Sequence, residues 1–230
     1  MSTYVEYLRS TKEEYIKIQY RQGTMEKTQI PVSAMKRLPI YLHYLKSLGK
    51  DDKATISSAA IAEALGLGEV QVRKDLALVS GAGKPKIGYY LTELSEHIET
   101  ALGVKNETTN VVVVGAGKLG KALFLYDGFA EFGLNILAAF DKDEKKAEKI
   151  GDNKSVYPIS EIEKFCKAND VRIGVIAVPE KEAENAFDTL LKCGVSAVWN
   201  FAPVRLKSTE SVKVKNENLA AALAVLAASV

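Results

Sequence analysis

The stretch VVVVGAGKLG, Val111 to Gly120, decides how the second half of this chain folds. Four β-branched residues in succession read as a parallel strand buried on both faces. The run passes directly into Gly-x-Gly-x-x-Gly and then into a helical stretch. That glycine pattern is weak by itself; between a strand and a helix it marks a dinucleotide-binding turn. Gly115 permits the tight turn, Gly117 lets a pyrophosphate approach the backbone, and Gly120 lets the helix pack closely on the strand. Ala116, Lys118 and Leu119 complete the turn and the helix start, whose unpaired N–H groups suit an anion.

Working outward, later apolar runs end at Phe140, Ala177 and Trp199, with helical stretches between them. Strand alternating with helix implies an α/β fold, a Rossmann-like doubly wound parallel sheet. Asp141 closes the run NILAAFD about twenty residues after the glycines, where an acid accepts hydrogen bonds from ribose hydroxyls and repels a 2′-phosphate. NAD(H) is therefore favoured over NADP(H). Lys142 follows it in the same turn.

Upstream the texture is helical. Pro31 suits a first-turn position, and Leu38, Tyr41, Leu42, Leu45 and Leu48 recur at three- and four-residue spacing up to Gly49. After the charged turn Lys50–Lys53 comes ISSAAIAEALGLG, with Ser57 or Ser58 as the cap and Gly66 as the stop. The helix EVQVRKDLALVS follows at once. Helix, tight turn and helix make a helix-turn-helix. On the second helix Val72, Leu76 and Val79 share one face. Val70, Lys74 and Ala77 lie opposite, flanked by Gln71 and Arg73, the division a recognition helix needs. The glycine-rich GAGKPKIGYY then suits a wing hairpin with Lys84 and Lys86 at its tip. A closing helix runs from Thr92 to Leu102. Residues 1–30 are polar and helix-prone, with Met25 just ahead of the regular pattern.

Charge follows this division. Residues 31–90 hold nine Lys/Arg and five Asp/Glu, whereas residues 91–230 hold seventeen and twenty, so the front half is the one suited to a polyanion. No apolar run reaches the ~18–20 residues that span a bilayer, and the charged N-terminus has no signal-peptide core, so a cytoplasmic location is expected. Cys166 and Cys193 form no Cys-x-x-Cys pair and read as buried thiols; His43 and His97 lie far apart, so no metal site is expected.

Dehydrogenase chemistry needs a proton donor beside the nicotinamide. The cofactor-binding half has no histidine, and no tyrosine is followed by lysine four residues later. The bound nucleotide then reads as a signal, with no catalytic residues expected. The tail NLAAALAVLAASV (218–230) carries no charged side chain, and a helix apolar nearly all round must be buried, in its own domain or against a partner subunit; the partner is favoured because winged-helix proteins commonly read two-fold operators as dimers.

Several blocks together resemble the Rex family of redox-sensing repressors: RLPIYLHYLKSL, ISS…IAEALG…QVRKDL, GAGKLGKAL with the following Tyr126 and Gly128-Phe129, AAFD, VYPI, VPE and WNFAPVRL. The resemblance implies a winged helix-turn-helix domain (31–103) after an extension (1–30), a nucleotide domain (104–215), and a C-terminal helix (216–230) exchanged in a homodimer. It implies binding to double-stranded operator DNA of TTGTGA-type inverted repeats and release when NADH replaces NAD+. Carried over by position, Gly115, Gly117, Gly120 and Asp141 hold adenosine and pyrophosphate. Tyr126, Pro179, Asn200, Phe201 and Ala202 lie toward the nicotinamide, and Val178 also belongs to the cofactor site. Ser57, Ser58, Gln71, Arg73, Lys74, Lys84 and Lys86 meet DNA.

Three departures stand out. The wing has Pro85 where the family has arginine and Lys86 where it has glycine. Asn218 replaces an acidic residue of the exchanged tail, and His43 replaces a basic residue of the first helix. Two rival functions are an NAD-dependent dehydrogenase and a CoA-binding regulator.

Overall fold

The computed structural model describes residues 4–9, 14–19, 28–49, 51–104, 108–150 and 154–229, with side chains from Ile30 onward. The chain forms two compact units, residues 1–107 and 108–230. Met25, Lys50 and residues 105–107 of the expected linker lie outside the described residues.

The first unit opens with a correction. Residues expected to be helix-prone instead supply β1 (Tyr4–Arg9), β2 (Glu14–Gln19) and β3 (Thr28–Pro31), an antiparallel sheet in that order. Its register pairs Val5 with Ile18 and Tyr7 with Ile16. The alternation in YVEYLR and EYIKIQ has a period of two and is rich in β-branched and aromatic residues, which outweighs the helix propensity of the charged residues between them. Pro31 ends β3 and caps α1 (Val32–Met35) rather than sitting in its first turn.

Helix α2 (Leu38–Ser47) buries Leu38, Tyr41, Leu42 and Leu45, as the spacing requires; Leu48 lies past its end and is half-exposed. After β4 (Thr55–Ile56), the Ser57 hydroxyl accepts the Ala60 N–H at 3.0 Å and caps α3 (Ser58–Leu65). Gly66 ends α3 in a left-handed conformation, φ +63°. Helix α4 (Glu69–Ser80) then turns Val72 and Leu76 inward, both fully buried. Strand β5 (Tyr89–Tyr90) pairs antiparallel with β4, and α5 (Leu91–Leu102) closes the unit by burying Leu91, Leu94, Ile98 and Ala101.

Between α4 and β5 the chain makes the wing. Lys84 and Gly88 exchange backbone hydrogen bonds of 2.8 Å in both directions. Pro85, Lys86 and Ile87 therefore form the tip, with Lys86 at φ +64°. Lys84 belongs to the closing pair and not to the tip, and its Nζ rests 4.5 Å from the Tyr90 ring centroid.

The second unit contains β6 (Thr109–Val114), α6 (Lys118–Leu125), β7 (Leu134–Asp141), β8 (Glu148–Ile150), β9 (Lys154–Pro158), α7 (Ile162–Ala168), β10 (Val171–Ile176), α8 (Ala183–Lys192), β11 (Ala197–Asn200), β12 (Lys213–Asn216) and α9 (Leu219–Ala227). The sheet order is β12-β11-β10-β6-β7-β9-β8, parallel except for β8 against β9. Strand β6 is central. Val112 and Val114 enter one core with Phe140, Ile162 and Leu190, while Val111 and Val113 enter the other with Phe124 and Val156. The run of four valines is buried on both faces for that reason. Later strands are added first on the β7 side of β6 and then on the β10 side, so a crevice opens beyond the carboxyl ends of β6 and β10. Cys166 and Cys193 are free and buried in the first of these cores.

Strand β12 belongs to the sheet through Asn216, one residue past the expected domain end, and α9 begins at Leu219. No helix among the described residues is long and apolar enough to cross a membrane.

Candidate nucleotide cleft and DNA-reading face

The glycine turn is built by sterics. Gly115 has φ +101°, and a Cβ there would stand 2.4 Å from the Ala177 carbonyl oxygen. Gly120 needs no unusual backbone angle, but its Cβ would stand 1.8 Å from the Gly115 oxygen. The two glycines let β6, β10 and α6 converge. Gly117 differs: nothing lies within 4 Å of its missing Cβ, which leaves room for a ligand against the backbone. Lys118 and Leu119 follow on the exposed first turn of α6. Ala116 is 2% exposed, and its N–H is already donated to Asp141 Oδ2 at 2.8 Å. Ala116 and Gly120 therefore shape the turn.

Asp141 ends β7 and is nearly buried. Its Oδ1 accepts the Asp143 N–H at 2.9 Å, and its Oδ2 also accepts Lys146 Nζ at 2.9 Å. Burial pushes its pKa up, but the hydrogen bonds from Asp143, Lys146 and Ala116 outweigh it and hold the group below the usual carboxylate range. Asp141 is a fixed anion beside the glycine turn. Lys142 turns away from it and pairs with Glu182 at 2.6 Å.

These groups border a cleft of about 410 Å³, within the range of small-molecule sites. Of the sequence-derived residues, Gly115, Gly117, Asp141, Lys142, Val178 and Pro179 line it. Ile159, Glu182, Asn185, Ala186 and Thr189 line it too and were missed in sequence. Ile159 lies in the VYPI block already singled out; the α8 residues carried only an amphipathic pattern.

At the carboxyl end of β11 four aromatic rings form a chain: Tyr126–Phe129 at 5.1 Å, Phe129–Trp199 at 6.1 Å and Trp199–Phe201 at 4.4 Å between centroids. Tyr126 is 60% exposed and forms the open end. Phe129 and Trp199 were not foreseen as part of this surface. Asn200, expected toward the nicotinamide, is held within its own loop. It is fully buried; its amide donates to Val204 O at 2.7 Å and to Asn216 Oδ1 at 2.9 Å, while its oxygen accepts the Ala202 N–H at 3.0 Å. It fastens the loop after β11 to β12, with Ala202 buried beside it.

In the first unit, Gln71, Arg73, Lys74, Lys84 and Lys86 are exposed, as is Ser57; Ser58 is partly covered. Val70 is 55% exposed on the first turn of α4. Beneath Gln71 lies a group that sequence reasoning did not find. Asp75, 2% exposed, accepts Arg37 Nε at 2.6 Å and Tyr41 Oη at 2.7 Å on Oδ2. Its Oδ1 accepts Arg37 Nη2 and Gln71 Nε2, each at 2.9 Å. Burial raises the Asp75 pKa, yet hydrogen bonds from Arg37, Tyr41 and Gln71 prevail and lower it. Tyr41 is pushed up to about 12, by burial first and then by Asp75.

Comparison with known proteins fits both surfaces. A family model described as "Putative DNA-binding protein N-terminus" matches residues 29–77, and one described as "CoA binding domain" matches residues 106–204. The redox-sensing transcriptional repressor Rex of Carboxydothermus hydrogenoformans is 41% identical over 202 residues, 88% of this chain and 97% of that protein. The Rex of Desulforamulus reducens is 39% identical, with 88% and 96% covered. The chain belongs to the Rex family of redox-sensing transcriptional repressors. Among solved structures, RSP in complex with β-NAD+ and operator DNA superimposes with a TM-score of 0.78 at 30% identity, covering 90% of this chain and 93% of that one. RSP in complex with β-NADH gives 0.73 at 29% identity, with 90% and 95% covered.

Within the Rex frame the departures acquire positions. Asn218 caps α9: its Oδ1 accepts the Ala221 N–H at 2.9 Å. His43 is exposed on α2. Lys86, in place of a glycine, occupies a left-handed angle that glycine adopts without strain. Leu219, Leu223, Val225 and Leu226 of α9 are each 58–74% exposed on the single chain.

Proposed function

We propose that this chain is a repressor that binds an inverted-repeat operator as a homodimer and lets go when NADH replaces NAD+. The observation that carries the reading is the likeness, over nine-tenths of the chain, to a Rex-family repressor solved with β-NAD+ and operator DNA and again with β-NADH. The residues present suit each part of it.

On the DNA side, Arg73 and Lys74 supply charge for phosphates, and Gln71 and Val70 stand on the first turns of α4, where base edges are met. The wing adds Lys86 at its tip. On the nucleotide side, the open backbone at Gly117 admits a pyrophosphate, and Asp141 accepts from a ribose hydroxyl while remaining ionised. The aromatic chain from Tyr126 to Phe201 is an apolar wall suited to a neutral ring better than to a cationic one. NAD(H) supplies a ring whose charge reports its redox state. The fixed groups Gly115, Gly117 and Asp141 do not discriminate the two forms, so selectivity falls to that wall. To act as a switch, NADH must bind the released form more tightly than the DNA-bound form by several kcal/mol.

Helix α9 is apolar on every side and exposed in one chain, which suits exchange with a second copy. The chain acts in the cytoplasm with the nucleotide as signal, not reagent. The match of residues 106–204 to a CoA-binding model supports one other ligand. Thermal shift with NADH, NAD+ and CoA separates them: NADH raises the melting temperature of the protein and CoA leaves it unchanged. A shift with CoA alone would replace this reading with a CoA-responsive one.

A further inference from the structure

The carboxylate of Asp75 lies on the inner face of α4, the recognition helix itself, and is only 2% exposed. An ionised carboxylate has about four acceptor positions. All four are occupied here, by two Arg37 nitrogens, the Tyr41 hydroxyl and the Gln71 amide. Arg37 caps α2 and Tyr41 lies within it, so the acid ties α4 to α2. One member of the set is unlike the others. Gln71 is exposed on the first turn of α4, four residues before Asp75 and on the same face of the helix.

The chemistry also fixes which way the amide points. A carboxylate can only accept, so the Gln71 nitrogen must face Asp75 and its oxygen must face away. One N–H is held by the acid. The second N–H and the carbonyl oxygen remain as an adjacent donor and acceptor, the pair that recognises adenine N7 and N6 in the major groove. A tethered glutamine also loses less side-chain freedom on binding than a mobile one.

We infer that Asp75, anchored by Arg37 and Tyr41, is a positioning residue for base readout: it holds the Gln71 amide in one orientation, so that operator discrimination depends on the two residues as a unit. The inference rests on reading α4 as the recognition helix. It concerns preference among sequences and not general attraction to DNA, which the exposed Arg73 and Lys74 supply.

The test is a double-mutant cycle. Full-length wild type, Gln71→Ala, Asp75→Asn and the double variant are titrated by fluorescence anisotropy against a TTGTGA inverted-repeat duplex and a scrambled duplex. Asp75→Asn keeps the size of the side chain but offers an N–H where the acid offered only lone pairs, which allows the Gln71 amide to flip. The expected result is a loss of about tenfold in operator affinity for either single variant, the scale of one bidentate base contact. The scrambled duplex is bound as before, the salt dependence is unchanged, and the double variant is no worse than either single one. Multiplicative losses, or equal weakening on both duplexes, would overturn the positioning role. Should Asp75→Asn fail to fold, Tyr41→Phe removes one anchor and keeps the ring. It should lower discrimination and shrink the effect of Gln71→Ala; unchanged discrimination counts against the inference. A wild type with no preference for the operator would remove the reading of α4 itself.

Discussion

At the scale of single residues, two positions decide local behaviour that the sequence pattern only hinted at. Asp75 is stabilised in its charged form in the folded state, so it contributes stability above its ordinary carboxylate pKa of about 4. That contribution is lost as the pH falls below about 4 through the lower folded-state value. Urea unfolding of the wild type between pH 7 and pH 3 should show the decline, and Asp75→Asn should flatten it; an unflattened profile would assign the acid sensitivity elsewhere. Gly120 is the second. A methyl group there meets a backbone oxygen that cannot swing aside, so Gly120→Ala should cost at least ~2–3 kcal/mol and remove NADH binding. Calorimetry and NADH fluorescence check both effects. The glycine turn and Asp141 could be read from residue type and spacing because glycine has few substitutes where backbones converge. The roles of Asn200 and Asp75 could not. A buried polar side chain is identified by its partners, and Val204, Asn216, Arg37 and Tyr41 come from other parts of the chain.

At the scale of elements, the wing and the last helix carry the departures. Lys86 holds a left-handed angle that costs a non-glycine residue about 1 kcal/mol or more. Lys86→Gly should relieve that strain, partly offset by greater freedom in the unfolded chain, for a gain of ~0.5 kcal/mol. The same change should weaken all duplexes alike and lower the salt slope by about 1 if Lys86 meets a phosphate. Salt-dependent anisotropy measures it, and an unchanged slope would leave the wing tip off the backbone. Helices α2 to α5 were readable because their apolar residues fall three and four apart. Strands β1 and β2 were misread because glutamate, lysine and glutamine raised the helical propensity of segments whose alternation was period two. In the wing, the turn residues announced a hairpin but not its closing pair, so Lys84 was placed one step too far out.

At the scale of the whole molecule, the account needs two copies. Helix α9 exposes Leu223 and Leu226 in a single chain. Each side chain is worth about 1.5–3 kcal/mol when buried. Leu223→Asp with Leu226→Asp should yield a monomer by light scattering and reduce operator affinity by more than tenfold, since one half-site remains per molecule. A variant that stays dimeric would place the interface away from α9. The two-unit architecture itself followed from the change in texture near residue 108, where helical periodicity gives way to buried strands.

The central claim is that DNA binding answers to the redox state of the nucleotide. Its most direct test is fluorescence anisotropy of a labelled TTGTGA inverted-repeat duplex, bound by the full-length protein and titrated in parallel with NADH and NAD+. The account predicts tight binding that micromolar NADH reverses and NAD+ does not. Equal release by both nucleotides, or binding indifferent to both, would contradict it.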